Sequence, residues 1–236
     1  MIKLVIFDLD MTLIDTLKRF HRMFNIALKN FGAREVGWEE FVKDYKKMMS
    51  LGGFSLKGIF LLLKYRPAKI HKHEFWLYFR KLWNIKGMDK DDRLIEGAKD
   101  TLIFLKERGI KVGIITGRIT KPENIKEELK KFGIEKYVDF IYTFTEEFEK
   151  GGKRSTLIRK AMDEYGVTPE ETICVGDQVP DMRSGKEVGV ITVGVLTGLV
   201  DERILKKNGA SVVIKSVKEL PAIIEKIEKM DQRVLK

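Results

Sequence analysis

Asp8 and Asp10 stand two residues apart at the end of the apolar run Leu4-Val5-Ile6-Phe7, in the opening stretch of the chain. The run does not alternate apolar with polar, which predicts a short strand buried on both faces. Side chains two apart on an extended segment point the same way. Both carboxylates therefore project from the strand end into one site. Like charges that close are costly unless a cation or a shared proton relieves them. A chain does not need such a pair in order to fold, so the pair reads as chemistry; the plain alternative is two solvated aspartates capping a turn. Thr12 follows, and its hydroxyl is expected to bond locally and shape the loop.

Further polar residues follow other apolar runs. Thr116 ends one, in Ile115-Thr116-Gly117-Arg118, and Gly176-Asp177 ends another, with Asp181 four residues on. Lys153 opens the helical stretch before that second run. These groups meet only if the runs are parallel strands of one sheet. The pattern from residue 94 onward supports that arrangement. Strands are predicted at 111–116, 140–143, 172–175, 190–193 and 211–214. Helices are predicted at 97–108, 122–132, 153–165, 181–187, 201–207 and 217–229. Alternating strands and helices argue an α/β fold, a Rossmann-like parallel sheet with helices on both faces. In such sheets ligands bind beyond the carboxyl ends of the strands, near the switch point.

Between the first strand and this region lies a different texture. All three tryptophans and eight of the fourteen phenylalanines fall between residues 16 and 94. Helical spacing recurs at Leu17, Phe20, Phe24, Leu28 and Phe31, and further helices are predicted at 38–49, 54–65 and 74–85. That aromatic load can build a small all-helical core of its own. The predicted organisation is therefore a core from residues 1–15 and 95–236, with a smaller helical domain, 16–94, inserted.

The 236 residues carry a net charge of +10. The lysines and arginines mostly sit beside acidic residues, as over 123–131, which reads as an ion-paired surface. No basic tail or nucleic-acid motif accompanies them, so no nucleic-acid partner is expected. The longest aliphatic or aromatic run covers 59–63, too short to span a membrane. The amino terminus reaches acidic residues by position 8 and does not read as a signal peptide. The single cysteine, Cys174, leaves no internal disulfide, which fits a reducing, cytoplasmic setting.

Taken in order, Asp8-Leu9-Asp10-Met11-Thr12, Thr116, Lys153 and Gly176-Asp177-Gln178-Val179-Pro180-Asp181 resemble the four motifs of the haloacid dehalogenase superfamily. Its members are mostly phosphatases and phosphotransferases, and the resemblance spans the chain, with the helical domain as an all-helical cap inserted after the first motif. It implies a Mg²⁺-dependent phosphatase of small phosphomonoesters. Asp8 would be the nucleophile, forming an aspartyl-phosphate. Asp10 would protonate the leaving oxygen and then activate water. Thr116, Gly117, Arg118 and Lys153 would bind substrate, Thr116 and Lys153 balancing phosphoryl charge. The metal set would be Asp8, Asp177 and the Asp10 carbonyl, with Asp181 either joining it through water or instead bracing Lys153. Where the family often has proline after the lysine, Arg154 stands here, and Lys150 competes with Lys153 for the position. The expected partner is a small phosphorylated molecule, with the chain a monomer or homodimer.

Three other readings stay open. A 2-haloacid dehalogenase would need no acid for a departing halide, and those members carry a neutral residue where Asp10 stands. A phosphomutase would return the phosphoryl group to a bound intermediate. A basic binding module could keep the fold without catalysis, against which the intact motif set argues.

Overall fold

The computed structural model describes residues 1–51, 61–85, 90–144 and 153–234. Lys150 and most of the helix expected over 54–65 lie outside them.

Strand β1 (Leu4–Phe7) is fully buried, as its unbroken apolar run dictates. It lies in the middle of a six-stranded sheet ordered β5-β4-β1-β6-β7-β8. The other strands are β4 (Lys111–Thr116), β5 (Phe140–Thr143), β6 (Thr172–Gly176), β7 (Ile191–Val195) and β8 (Val212–Ile214). Every pairing in this sheet is parallel. The chain runs outward from β1 through β4 to β5, then returns to the other side of β1 at β6. The switch point therefore lies at β1, between β4 and β6.

Helices cover both faces. Apolar residues of α4 (Ala98–Glu107), α5 (Pro122–Lys131) and α9 (Leu220–Val234) join one side chain cluster with β1, β4 and β6. On the other face α6 (Arg154–Tyr165) packs Leu157, Ile158 and Ala161 against Leu4, Ile6 and Ile115. Val5 and Phe7 belong to the first cluster, Leu4 and Ile6 to the second, which is the period-two alternation of a strand buried on both sides. Among the described residues, this region also holds the helices α7 (Val179–Val188) and α8 (Glu202–Lys207).

Between the first and second strands of the sheet come α1 (Leu17–Asn30), α2 (Trp38–Ser50) and α3 (Lys72–Ile85). They share an aromatic cluster of Phe20, Phe24, Phe41, Tyr45, Phe75 and Phe79, which continues onto Met182, Val200 and Leu205 beside the sheet. A two-stranded antiparallel ribbon, β2 (Ile14–Asp15) with β3 (Arg93–Leu94), joins the chain entering this block to the chain leaving it. The ribbon is absent from the sequence reading because two residues per strand leave no periodicity to detect. Among the described residues, no helix is long and apolar enough to cross a membrane.

Candidate active site

The polypeptide turns sharply after β1. The Asp8 N–H still pairs with the Val175 carbonyl at 2.8 Å, holding it in register with β6. Met11, three residues on, adopts a left-handed φ of 62°. A non-glycine residue there marks local strain that surrounding structure must hold. Its carbonyl accepts a hydrogen bond from the Thr197 hydroxyl, and its N–H bonds the Ile14 carbonyl at 2.7 Å. This tight loop turns Asp8 and Asp10 toward the switch point.

Apart from Lys150, which lies outside the described residues, the residues expected to act in catalysis or to bind substrate or metal line one cavity of 530 Å³ at that point: Asp8, Asp10, Thr116, Gly117, Arg118, Lys153, Asp177 and Asp181. Within it, Asp8, Asp177 and Asp181 offer carboxylate oxygens that lie within 4.8 Å of one another, all three side chains being buried. Burial, with the neighbouring Asp181 charge, pushes the Asp8 carboxyl up to about 7 against the pull of Arg154. Burial and the charges of Asp8 and Asp181 likewise push Asp177 well above the ordinary carboxylate range. Asp181 is raised by burial and opposed by Arg154. Three buried carboxylates with one guanidinium, Arg154, on two of them are short of positive charge. An all-oxygen donor set of this kind suits a hard divalent cation, and these residues fit one.

Two glycines make room for the carboxylates. A Cβ on Gly176 would stand 2.4 Å from the Asp181 Cγ, which explains the glycine that opens Gly-Asp-x-x-x-Asp. A Cβ on Gly198, in the turn after β7, would stand 1.8 Å from the Asp177 Oδ2. Asp181 also caps α7 by accepting from the Gln178 N–H at 2.9 Å. The Thr12 hydroxyl does not bond locally as expected. It reaches Asp177 Oδ1 at 3.2 Å and, with the Gln178 amide donating to Oδ2 at 2.8 Å, fixes that carboxylate.

Two further expectations meet a different geometry. Lys153 precedes α6 in an extended conformation, its side chain is 73% exposed, and its ammonium faces Glu187 at 4.0 Å. Arg154, the first residue of the helix, turns inward instead. Its guanidinium lies 2.8 Å from Asp8 Oδ1 and 2.8 Å from Asp181 Oδ1, and donates to the Ile115 carbonyl. The bracing by Asp181 considered for Lys153 thus falls on Arg154, which also pairs with Asp8. The physical reason is the helix boundary, across which consecutive side chains diverge. Arg118 is likewise engaged elsewhere than on a ligand. It donates to Asp10 through Nε at 2.8 Å and Nη2 at 2.6 Å, and its Nη1 reaches both Glu128 oxygens at 2.9 and 2.8 Å.

This pairing continues into a buried charge network. Arg19, on α1, reaches Asp92 at 3.2 Å, Glu128 at 3.5 Å and Asp10 at 3.8 Å. The Trp83 ring lies beneath both guanidiniums, 4.9 Å from Arg19 and 5.6 Å from Arg118. Burial raises the Asp10 carboxyl, but Arg118 outweighs it and holds Asp10 below the ordinary value. The Asp10 carboxylate is thus neutralised by Arg118, while Asp8, Asp177 and Asp181 form the three-carboxylate cluster. Glu128 lies in the 123–131 stretch expected to form an ion-paired surface, yet it is buried. Its helical phase carried the signal, since Ile125, Glu128 and Leu129 form one buried i, i+3, i+4 stripe on α5.

A profile of the family described as haloacid dehalogenase-like hydrolase matches residues 5–195. The chain belongs to that family. It is an enzyme, a phosphatase-type hydrolase, with relatives named as phosphatases and pyrophosphatases among its matches. It is 29% identical over 223 residues to pyrophosphatase PpaX of Halalkalibacterium halodurans, covering 94% of this chain and 97% of that one. It is also 29% identical over 245 residues to glyceraldehyde 3-phosphate phosphatase of Pyrococcus furiosus, covering 99% and 97%. A solved haloacid dehalogenase-like hydrolase of Streptococcus pneumoniae shares the fold with a TM-score of 0.74, at 21% identity over 94% of this chain and 98% of the other.

Proposed function

We propose that this chain is a Mg²⁺-dependent phosphatase of small phosphomonoesters, working through an aspartyl-phosphate on Asp8. The observation that carries the reading is the convergence of Asp8, Asp177 and Asp181 at the switch point, with Asp10 and Thr116 on the same cavity. Residues 1–15 and 95–236 act as the catalytic core and residues 16–94 as a cap over it. The β2–β3 ribbon stands where the chain crosses between them.

Asp8, Asp177 and Asp181, with the Asp10 carbonyl, are the groups that would hold Mg²⁺. When bound, the ion supplies the positive charge that lets an anionic nucleophile approach a phosphate dianion. The Asp8 carboxylate attacks phosphorus, forming the Asp8–phosphorus bond as the ester oxygen–phosphorus bond breaks. The leaving alkoxide takes a proton from Asp10. A water then attacks phosphorus, gives a proton to Asp10 and releases phosphate, restoring Asp8. Arg118 holds Asp10 ionised in the free protein, ready for the base step. A substrate dianion beside it favours the protonated form needed for the acid step. In this reading Thr116 and Arg154 hold the phosphoryl oxygens, with Lys153 at the rim.

Phosphate release from a panel of phosphomonoesters, with Mg²⁺ and with chelator, tests this reading. Release that chelation abolishes is expected. Metal-independent halide release from 2-chloropropionate, faster than any phosphate release, would replace it with the dehalogenase.

A further inference from the structure

The two walls of the cavity differ in chemistry. The wall next to Asp8 is ionic. The opposite wall comes from α1, α2 and α3. Helix α3 turns Trp76, Phe79, Arg80 and Trp83 inward at i, i+3, i+4 and i+7 spacing, and Phe20 and Tyr45 join them. Trp76 stacks on Phe79 at 5.1 Å and 22°, Phe79 on Trp83 at 6.4 Å and 21°, and Phe20 lies 4.7 Å from Phe79. Among the described residues, Arg80 is the one charged group that these helices bring to the cavity.

An ester bound with its phosphorus at Asp8 has to direct its leaving group at this wall. A second phosphate there would bring two or more negative charges against aromatic rings where, among the described residues, Arg80 is the one cation these helices add to the cavity, the Arg118 guanidinium over Trp83 being already paired with Asp10 and Glu128. A charge desolvated with so few donors is costly. A flat ring meets the opposite situation, because offset stacking on such a surface is favourable beyond the area buried.

We propose that the substrates of this chain are phosphomonoesters whose alcohol carries an aromatic or similarly flat ring, stacked on Trp76 against the aromatic wall that Phe79 and Trp83 continue, and that pyrophosphate and small polyol phosphates are poor substrates. This rests on the phosphatase reading above and adds the leaving-group class to it.

The test measures kcat/KM of the full chain with Mg²⁺ for benzyl phosphate, ethyl phosphate and pyrophosphate. Benzyl and ethyl alcohols are both alkyl leaving groups of similar basicity, so their difference reads the ring. Benzyl phosphate is expected to lead ethyl phosphate by about tenfold, mainly through KM. Trp76 is only half-buried, so Trp76→Ala can be made with little risk to folding. It should bring the benzyl-to-ethyl ratio close to one, while Trp76→Phe keeps most of it. In a separate arm, benzylphosphonate, which is not hydrolysed, should change tryptophan fluorescence and bind about tenfold tighter than ethylphosphonate. Equal kcat/KM for the two esters, or a preference for pyrophosphate, would overturn the ring site and leave the phosphatase standing. Ring-selective phosphonate binding without phosphate release from any ester would support the ring site while removing the phosphatase reading. No ring preference in either arm removes the proposal outright.

Discussion

Replacing Arg118 with methionine should expose how much the buried network holds the protein together. Its Nη1 serves both oxygens of Glu128, and both partners are almost fully buried, at 3% and 5% side-chain exposure. Its other two contacts go to Asp10, which is 21% exposed and therefore screened by solvent. Removing one partner of a buried pair typically costs about 3–5 kcal/mol, because the other charge stays buried. Here Arg19 remains 3.5 Å from Glu128. That residual partner, and the screening at Asp10, point to the lower end, about 3 kcal/mol. In a chain of this size each kcal/mol moves the melting midpoint about 2–4 °C, so the shift should be about 6–12 °C. Urea and thermal unfolding followed by circular dichroism would measure it. Adding Glu128→Gln to Arg118→Met removes the stranded charge and should recover part of the loss. The pH dependence has a definite sign. Asp10 is held below its ordinary pKa, so its contribution is present above the unfolded value, about 4, and is lost as pH falls through the folded one. The gap between parent and variant should therefore narrow below about pH 4. A loss under about 1 kcal/mol at neutral pH would refute the reasoning, since that is the worth of a surface pair.

Other expectations follow from single contacts. Gly198→Ala drives a methyl into Asp177 and should weaken Mg²⁺ binding by roughly 10–100-fold in calorimetry, as loss of support around a ligand usually does. Asp10→Ala should slow turnover by about 10²–10⁴-fold, and by less for aryl phosphates, whose leaving groups need less protonation. Asp139 is raised by burial but held below its ordinary pKa by Lys106 and the Val112 N–H. Asp139→Asn should cost about 1 kcal/mol at neutral pH. That difference should disappear as pH falls below about 4, through the depressed folded value, in urea titrations at each pH.

The sheet was legible because its strands announce themselves locally. The strands over 111–116 and 140–143 have the predicted limits, since apolar runs bounded by glycine or polar residues leave little freedom. The gathering of Asp8, Thr116 and Asp177 followed from a parallel sheet alone, because every strand end then faces the same way, and Asp181 follows one turn into α7. What stayed hidden depends on side-chain direction at a boundary or on partners far apart in the chain. Lys153 and Arg154 are adjacent and both basic, and only the start of α6 decides which turns inward. Arg118 offers no local sign that it is saturated by Asp10 and by Glu128 on α5. Thr12 looked like a loop residue, and its partner lies 165 positions away. Gly198 is an ordinary turn glycine until the Asp177 carboxylate is placed against it.

The most direct test of the central claim is to trap the phosphoryl group on Asp8. The protein would be mixed with benzyl phosphate and Mg²⁺, quenched with acid and reduced with borohydride, which converts an acyl phosphate to the alcohol. Peptide mass spectrometry should then find homoserine at position 8, and only when substrate and Mg²⁺ are both present. Continued phosphate release with an unmodified Asp8, or reduction at a different carboxylate, would contradict the account.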